Sequence, residues 1–178
     1  MSPSATRSDL DGELNPLPRA PGTYALVLEP GPQSVGQHIR VGALGKLPIE
    51  GGTYVYVGSA RGPGGLAARV ARHLRATGRP HWHIDYLRRH THLTEIWLAV
   101  EDVNHEHEWS RLLAHCPGLA IPLPRFGASD CRCPSHLFHC ARQPGAILQR
   151  LGGAIQVPLQ TPGGLAEAHR LHGPPENR

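Results

Sequence analysis

Basic and acidic side chains are separated along the middle of the chain, in an order that suits phosphate chemistry. Residues 61–89 contain seven arginines and a single acid, Asp85, whereas residues 95–108 contain five acids and no Lys or Arg. A guanidinium presents a planar fork that matches phosphate oxygens, and carboxylates are ligands of divalent cations. The order predicts one site that contacts phosphate and holds a metal. The alternative is that a GC-rich coding sequence supplies the arginines, since Lys46 is the only lysine among 18 basic residues.

Thiols and imidazoles gather in a later segment, where they could bind zinc. The candidate ligands are Cys131, Cys133, His136, His139 and Cys140. Cys and His are the usual ligands of structural zinc, but a C-x-C step differs from the usual C-x₂-C spacing. Buried thiols that only pack in the core are therefore the favoured interpretation, with zinc as the alternative.

A third group, His81, His83 and Asp85, offers either a metal site or hydrogen bonds within the fold. In a strand all three side chains would share one face, whereas in a helix they would scatter. We interpret residues 81–87 as a short helix, so hydrogen bonding within the fold is favoured.

The elements that must position these residues alternate between strands and helices. Alternation and β-forming residues predict strands at residues 23–29, 37–41, 53–58, 93–100 and 137–138. Helices are predicted at residues 66–77, 81–87 and about 105–115. Residues 42–52 are typical of a turn, residues 117–135 are irregular, and from about residue 144 onward one weakly helical piece is visible.

Helical periodicity sorts the side chains of two helices into inner and outer faces. Leu66, Val70 and Leu74 would form the buried stripe of residues 66–77, with Arg69 and His73 at its edge. The outer face would carry Arg72 and Arg75, which are then free to meet a polyanion. For residues 105–115 the predicted buried stripe consists of Trp109, Leu112, Leu113 and Cys116.

Length and composition fit a single domain with polar ends. The chain has 178 residues, including 21 Gly and 18 Pro, with 39% hydrophobic residues and a net charge of +4. We expect a disordered N-terminal tail (1–20), a domain (21–140) and a Gly/Pro-rich C-terminal tail (141–178). No apolar run is long enough for a membrane span and no secretory signal is visible, so we expect a cytoplasmic protein with reduced thiols and no membrane partner.

Several of these pieces occur in an order that resembles a known superfamily. Pro21-Gly22-Thr23-Tyr24 is followed by Tyr56-Val57-Gly58, by a glycine-rich loop, and by Leu66-x-x-Arg69-Val70-x-x-His73. The set resembles the GIY-YIG nucleases, and the helix spacing resembles the nuclease of bacterial excision repair, in which a Tyr stands at the place of His73. The continuation HWHIDYL…EHEW…PRFGASDCRCPSHLF resembles a small, poorly characterised branch of that superfamily.

This resemblance implies both a fold and an activity. The fold would be α/β (α+β), with a small, mainly antiparallel sheet of about three strands flanked by helices. The activity would be a nuclease that uses Mg²⁺ or Mn²⁺ to hydrolyse DNA, with RNA also open as the substrate. A divalent ion and a guanidinium can stabilise the negative charge that builds up during phosphodiester hydrolysis.

The resemblance also assigns residues to roles. Tyr24 and Tyr56 would deprotonate or orient the attacking water, and Arg69 with His73 would contact the scissile phosphate. Glu106 or Glu108 would hold the metal. The backbone of the nucleic acid would be contacted by Arg61, Arg72, Arg75 and Arg79.

The chain departs from the superfamily pattern at three places, and these keep other functions open. The separation between Tyr24 and Tyr56 is longer than usual. Ser59 stands where the repair nuclease has a Lys. An Asn that often follows the metal-binding Glu has no clear counterpart, although Ser129 or Asp130 could replace it. The alternatives are a non-catalytic nucleic-acid-binding module and a structural zinc protein.

Overall fold

The computed structural model describes residues 17–75 and 78–158. Most of the predicted N-terminal tail, residues 76–77 at the end of a predicted helix, and residues 159–178 of the predicted C-terminal tail lie outside the described residues. In chain order, the strands are β1 (Gly22–Pro30), β2 (His38–Val41), β3 (Gly45–Pro48), β4 (Thr53–Ala60), β5 (Thr91–Val100), β6 (Leu119–Ala120), β7 (Leu137–Cys140) and β8 (Ile155–Pro158). The helices are α1 (Gly65–Arg75), α2 (His83–Arg88), α3 (Glu106–Ala114) and α4 (Gly145–Leu148), with a 3₁₀ turn at Pro32–Ser34.

An antiparallel sheet of six strands forms the centre, in the order β6-β7-β4-β1-β5-β8. The α+β class is as predicted, but the expected count of about three strands is wrong. The three long strands β4, β1 and β5 are extended by β6 and β7 at one edge and by β8 at the other. The added strands have only two to four residues, which is too short to show a clear alternation in the sequence.

Strand β1 is apolar at almost every position because both faces of the sheet are covered. Tyr24, Leu26 and Leu28 face one core, which includes residues of α1, α2 and the β2–β3 hairpin. Ala25 and Val27 face the other core, which includes residues of α3 and α4. Successive strand residues point to opposite faces, so a strand between two layers has no polar side.

The segment between β1 and β4 forms a separate hairpin. Among the described strands, β2 and β3 pair only with each other, and Ile39, Val41 and Leu47 are buried against the larger core. The prediction that residues 42–52 are only turn is wrong for β3. With four residues, of which one is Gly and one is Pro, this strand has a weak signal in the sequence.

The helices appear where they were predicted, but three expected core residues, Leu74, Leu112 and Cys116, are partly exposed. In α1 the buried positions after Leu66 are Val70 and His73, whereas Leu74 is 36% exposed. In α3, Trp109 and Leu113 are buried and Leu112 is 48% exposed. Helix α1 is rotated so that Leu66, Val70 and His73, at positions i, i+4 and i+7, face the core, which carries His73 into the interior.

The fold continues beyond residue 140, where the sequence suggested that the domain ends. Leu148 and Leu151 are buried in the core beneath α3, and β8 pairs with β5. No helix among the described residues is long and apolar enough to cross a membrane.

Candidate functional site

The hydroxyl of Tyr24 reaches from the sheet to helix α1. Tyr24 lies opposite Gly58 in the pairing of β1 with β4, and a Cβ at Gly58 would stand 2.4 Å from the Tyr24 hydroxyl oxygen. Glycine at this position therefore leaves the space that the tyrosine ring occupies. The hydroxyl shares a buried hydrogen bond of 2.8 Å with Nε2 of His73.

Tyr56 lies beside the same imidazole. Its ring is edge-on to that of His73, with the ring centroids 6.3 Å apart. On its other side, a Cβ at Gly127 would stand 3.1 Å from Cε2 of Tyr56 and 3.0 Å from Cβ of His136. Because Gly127 contacts both residues, the loop that contains it joins Tyr56 to the Cys/His segment.

Both tyrosines are protonated at neutral pH. Burial raises the pKa of Tyr24 well above its ordinary value, and the neighbouring Tyr56 and Glu106 raise it further. Burial, followed by the charge of Glu106, also raises the pKa of Tyr56. Burial and the nearby positive charge of Arg88 lower the pKa of His73 to about 3. At neutral pH these side chains can orient a water molecule by hydrogen bonding, but none of the three carries a charge.

Two arginines of α1 lie over the ring of Trp82, a residue that the sequence analysis did not single out. The guanidinium carbon is 4.5 Å from the ring centre for Arg69 and 4.0 Å for Arg72. Arg72 also forms a 2.8 Å ion pair with Asp85. In the described part of the chain Arg69 forms no ion pair, so it is the less neutralised cation of the two. A tryptophan within the basic stretch was the available signal, because guanidinium groups stack on indole rings.

The residues of the H-x-H-x-D segment hydrogen-bond within the fold, as favoured from the sequence. Oδ2 of Asp85 accepts the backbone N–H groups of His81 and Trp82. Burial alone would raise the pKa of Asp85, but these bonds and the Arg72 guanidinium hold its pKa below the ordinary value. Nδ1 of His83 accepts the backbone N–H of Gly127 at 3.0 Å.

A shallow groove of about 190 Å³ runs along the start of α1. Its lining includes Gly62, Pro63, Arg69, Arg72 and Trp82. The first N–H groups of the helix already bond to backbone carbonyls, at Leu66 to Ala20 and at Ala67 to Pro18. An anion in this groove would therefore meet the guanidinium groups rather than a free helix N-terminus.

The other predicted backbone-contacting arginines are all exposed at the surface. Arg61 donates to the carbonyl of Asp102, and Arg75 lies in the last turn of α1. Arg79 follows this helix and precedes α2. Together with Arg72 they are basic side chains that solvent can reach.

Glu106 and Glu108 have different surroundings, and only Glu106 interacts electrostatically with the tyrosines. Its Oε2 accepts the hydroxyl of Ser59 at 2.9 Å, and its side chain is 18% exposed. Burial alone would raise the pKa of Glu106, but the His136 ring and the Ser59 hydroxyl hold its pKa below the ordinary value. The side chain of Glu108 is 62% exposed and contacts Nδ1 of His105 instead. Glu106 is therefore the better placed of the two predicted metal ligands.

The structure brings two thiols and two imidazoles together near Glu106. The possible ligand atoms of His107, Cys131, Cys133 and His136 all lie within 4.8 Å of one another. We call these four residues the Cys/His cluster. A group of this kind could bind a metal ion, and sulfur and nitrogen ligands suit zinc better than magnesium.

The sequence analysis identified only part of this cluster. Cys131, Cys133 and His136 belong to it, but His107 was missed because it lies on α3, far from the cysteines in sequence. Cys140 is not a member, since it pairs with Thr53 and Leu119 within the sheet. His139 is not a member either, and its Nε2 contacts the carbonyl of Gly51.

The molecule is thus an α+β protein in which an antiparallel sheet lies between helical layers, with Tyr24 and Tyr56 of the sheet facing His73 and Arg69 of α1 on one side. We call these four residues the tyrosine–arginine site. Residues 23–155 match the family model described as "Domain of unknown function DUF123", and the chain belongs to this family. Comparison with curated proteins and with solved structures found no match.

Proposed function

We propose that the protein is a metal-dependent nuclease of the GIY-YIG superfamily that acts on DNA. The observation that carries this proposal is the convergence of residues from four elements. Tyr24 of β1 contacts His73 of α1, and Tyr56 of β4 lies beside the same ring. The charge of Arg69 lowers the pKa of both tyrosines, and the charge of Glu106 from α3 raises it. Residues that resemble the superfamily motifs in sequence thus also approach one another in space.

Arg69 is the side chain best suited to contact the scissile phosphate. It lines the groove at the start of α1, and its guanidinium lies over the ring of Trp82. A fixed cation beside the reacting phosphate stabilises the charge that builds up in the transition state. Arg72, held by Asp85, and the exposed Arg61, Arg75 and Arg79 are available to contact more distant phosphates.

The tyrosines are better suited to orienting water than to removing its proton. A phenol acts as a base only as phenolate, and burial makes that form costly at both positions. The hydrogen bond between Tyr24 and His73 fixes the direction of the Tyr24 hydroxyl. We infer that Tyr24 and Tyr56 hold the attacking water in line with the phosphorus.

Glu106 fits the role of a metal ligand. The carboxylate is ionised, partly exposed and already fixed in orientation by Ser59. Protein sites for Mg²⁺ commonly supply one or two carboxylates and leave the other positions to water and phosphate. When bound, Mg²⁺ or Mn²⁺ would act as a Lewis acid on the phosphate oxygens.

A second candidate function, a non-catalytic nucleic-acid-binding module, is favoured by the contacts of the same carboxylate. Oε2 of Glu106 is occupied by Ser59, and its Oε1 is 3.3 Å from Nδ1 of His136. With both oxygens engaged in these contacts, the carboxylate would act as a structural group, and the basic surface alone would bind the polyanion.

Cleavage of labelled duplex, single-stranded and branched DNA in Mg²⁺ or Mn²⁺ separates the two candidates. We expect cleavage that EDTA abolishes and that Arg69→Ala lowers by about 10²–10³-fold. Arg40→Ala is the matched control, because Arg40 is an exposed arginine of the β2–β3 hairpin outside the site. Salt-sensitive binding without cleavage of any substrate would contradict the nuclease proposal and support the binding module.

A further inference from the structure

We propose that His107, Cys131, Cys133 and His136 bind one zinc ion, which ties the loop before β7 to the first turn of α3. The candidate ligand atoms lie within 4.8 Å of one another without any rearrangement of the backbone. Two of the residues come from a single C-x-C segment, and His107 comes from the helix. The proposal concerns a site separate from the phosphate-contacting arginines, and it does not depend on nuclease activity.

The chemistry of the four side chains selects zinc. Thiolate and imidazole are soft or borderline ligands, which favour Zn²⁺ in tetrahedral geometry over Mg²⁺ or Ca²⁺. Two thiolates cancel the charge of the ion, and two neutral imidazoles complete its coordination. Four protein ligands leave no open position for substrate, so the ion would be structural.

His136 is a buried member of the cluster, and its two ring nitrogens have different surroundings. The residue is 2% exposed, and its Nδ1 has no hydrogen-bond partner among the described residues. Nδ1 lies 3.3 Å from Oε1 of Glu106, which is close enough for an ion pair but is not aligned for a hydrogen bond. The other ring nitrogen, Nε2, is 3.4 Å from Sγ of Cys131.

A zinc ion would account for both ring nitrogens of His136. With Nε2 bound to the metal, the proton must reside on Nδ1, which faces the Glu106 carboxylate. A carboxylate that accepts the second N–H of a metal-bound histidine is a common outer-shell arrangement. Glu106 would then act as a positioning residue for the zinc site through His136.

The backbone of the loop is already held in the shape that brings the two thiols together. Arg125 donates from one guanidinium nitrogen to the carbonyls of Cys131 at 2.6 Å and Cys133 at 3.0 Å. Its own N–H bonds to the carbonyl of Pro134 at 2.7 Å, and its φ of +64° lies in the left-handed region. A loop that accepts this strain is constrained by its contacts, which lowers the entropic cost of binding an ion.

Metal content of the purified, reduced full-length protein is the first test. We expect one zinc ion per chain, and we expect His107→Ala to weaken zinc affinity by more than about 100-fold, since loss of an outer-shell group alone costs 10–100-fold. His107 is exposed, so this variant should fold. His115→Ala is the matched control, because His115 is an exposed histidine at the end of the same helix. Cys140→Ser is a second control, for a buried thiol outside the cluster.

Cobalt substitution tests the ligand set in the wild-type chain. Co²⁺ should give the absorption of a tetrahedral ion together with thiolate-to-metal charge-transfer bands, and Cys131→Ser should weaken those bands. A reduced wild-type protein that takes up neither Zn²⁺ nor Co²⁺ would overturn the proposal, as would unchanged zinc affinity in His107→Ala. The result holds whether or not the protein cleaves DNA.

Glu106→Gln tests the positioning role. We expect zinc affinity to fall by about 10-fold, because an amide is a weaker acceptor for the Nδ1 proton than a carboxylate. Unchanged affinity would show that Glu106 does not act through His136.

Discussion

The tyrosine–arginine site is supported by long strands and a helix, whereas the Cys/His cluster is supported by a loop and the first turn of α3. Tyr24 and Tyr56 come from two adjacent long strands of the sheet, and their rings are almost fully buried. The cluster includes an exposed histidine and a half-buried cysteine. The first region is fixed by packing, so it should be insensitive to metal. In the second region Cys133 and His136 are buried but His107 and Cys131 are not, and an ion would add a link between the loop and α3.

The largest expected effect concerns the buried imidazole of the packed region. Burial and the charge of Arg88 lower the pKa of His73 to about 3 from 6.5, so the folded protein keeps it neutral. The unfolded chain takes up a proton as the pH falls below 6.5, and the folded chain does not until near pH 3. Stability is therefore fully present above pH 6.5 and decreases below it, by about 1.4 kcal/mol per pH unit.

Urea unfolding of wild type and His73→Gln at several pH values checks this effect. Between about pH 7.5 and pH 4.5 the wild type should lose about 3 kcal/mol more than the variant. Other titrating groups, such as Asp85 and His105, are common to both chains and cancel in the difference. Parallel stability curves for the two chains would mean that His73 titrates normally in the folded state.

A smaller effect should follow from filling the space that Tyr24 occupies. Gly58→Ala would place a Cβ 2.4 Å from the Tyr24 hydroxyl and 2.5 Å from its Cζ. Overpacking of this kind costs about 1–3 kcal/mol. Gly145→Ala is the control, since a Cβ there meets no atom within 4 Å. The measurement is the free energy of unfolding.

The same substitution tests whether the packed region is as rigid as we infer. Tyr24→Leu removes the contacting atoms, so the double variant Gly58→Ala/Tyr24→Leu should be more stable than the sum of the single effects predicts. Additive effects would indicate that Tyr24 moves aside freely. The packed region would then be no more rigid than the loop.

The tyrosine–arginine site and the Cys/His cluster also differ in how much of each could be predicted from the sequence. The grouping of Tyr24, Tyr56 and Arg69 was expected from the resemblance of their motifs to the GIY-YIG nucleases, whereas local periodicity indicates only which face of its own strand or helix each side chain occupies. Burial of His73 in place of Leu74 depends on the rotation of α1 against the sheet, and one stripe of residues does not fix that angle. The contact of Trp82 with two arginines also depends on how α1 and α2 pack together.

The Cys/His cluster was only partly predictable for a related reason. Cys131, Cys133 and His136 are close in sequence, so their proximity could be anticipated from spacing. His107 joins them from a separate helix, through a contact that has no local pattern. Strands β3 and β8 were missed because four residues are too few to distinguish a strand from a turn or a tail.

The smallest effect concerns Gly127, which contacts both regions. Its φ is +71°, and a Cβ there would stand 3.0 Å from Cβ of His136 and 3.1 Å from Cε2 of Tyr56. Gly118 has a φ of +87° with no atom within 4 Å of its Cβ position, so Gly118→Ala measures backbone strain alone. We expect Gly127→Ala to cost about 1 kcal/mol more than Gly118→Ala, because it adds close contacts to the same strain.

Metal affinity then shows which region yields to the added methyl group. If the loop moves, His136 is displaced, and the Gly127→Ala chain should bind Zn²⁺ several-fold more weakly than the Gly118→Ala chain. Gly58→Ala should leave Zn²⁺ affinity unchanged, because its contacts are with Tyr24. If Gly127→Ala leaves zinc affinity unchanged but alters Tyr56 fluorescence or activity, our inference about which of the two regions is rigid would be reversed. The loop would then be the rigid partner, and the tyrosine side of the sheet would be the part that adjusts.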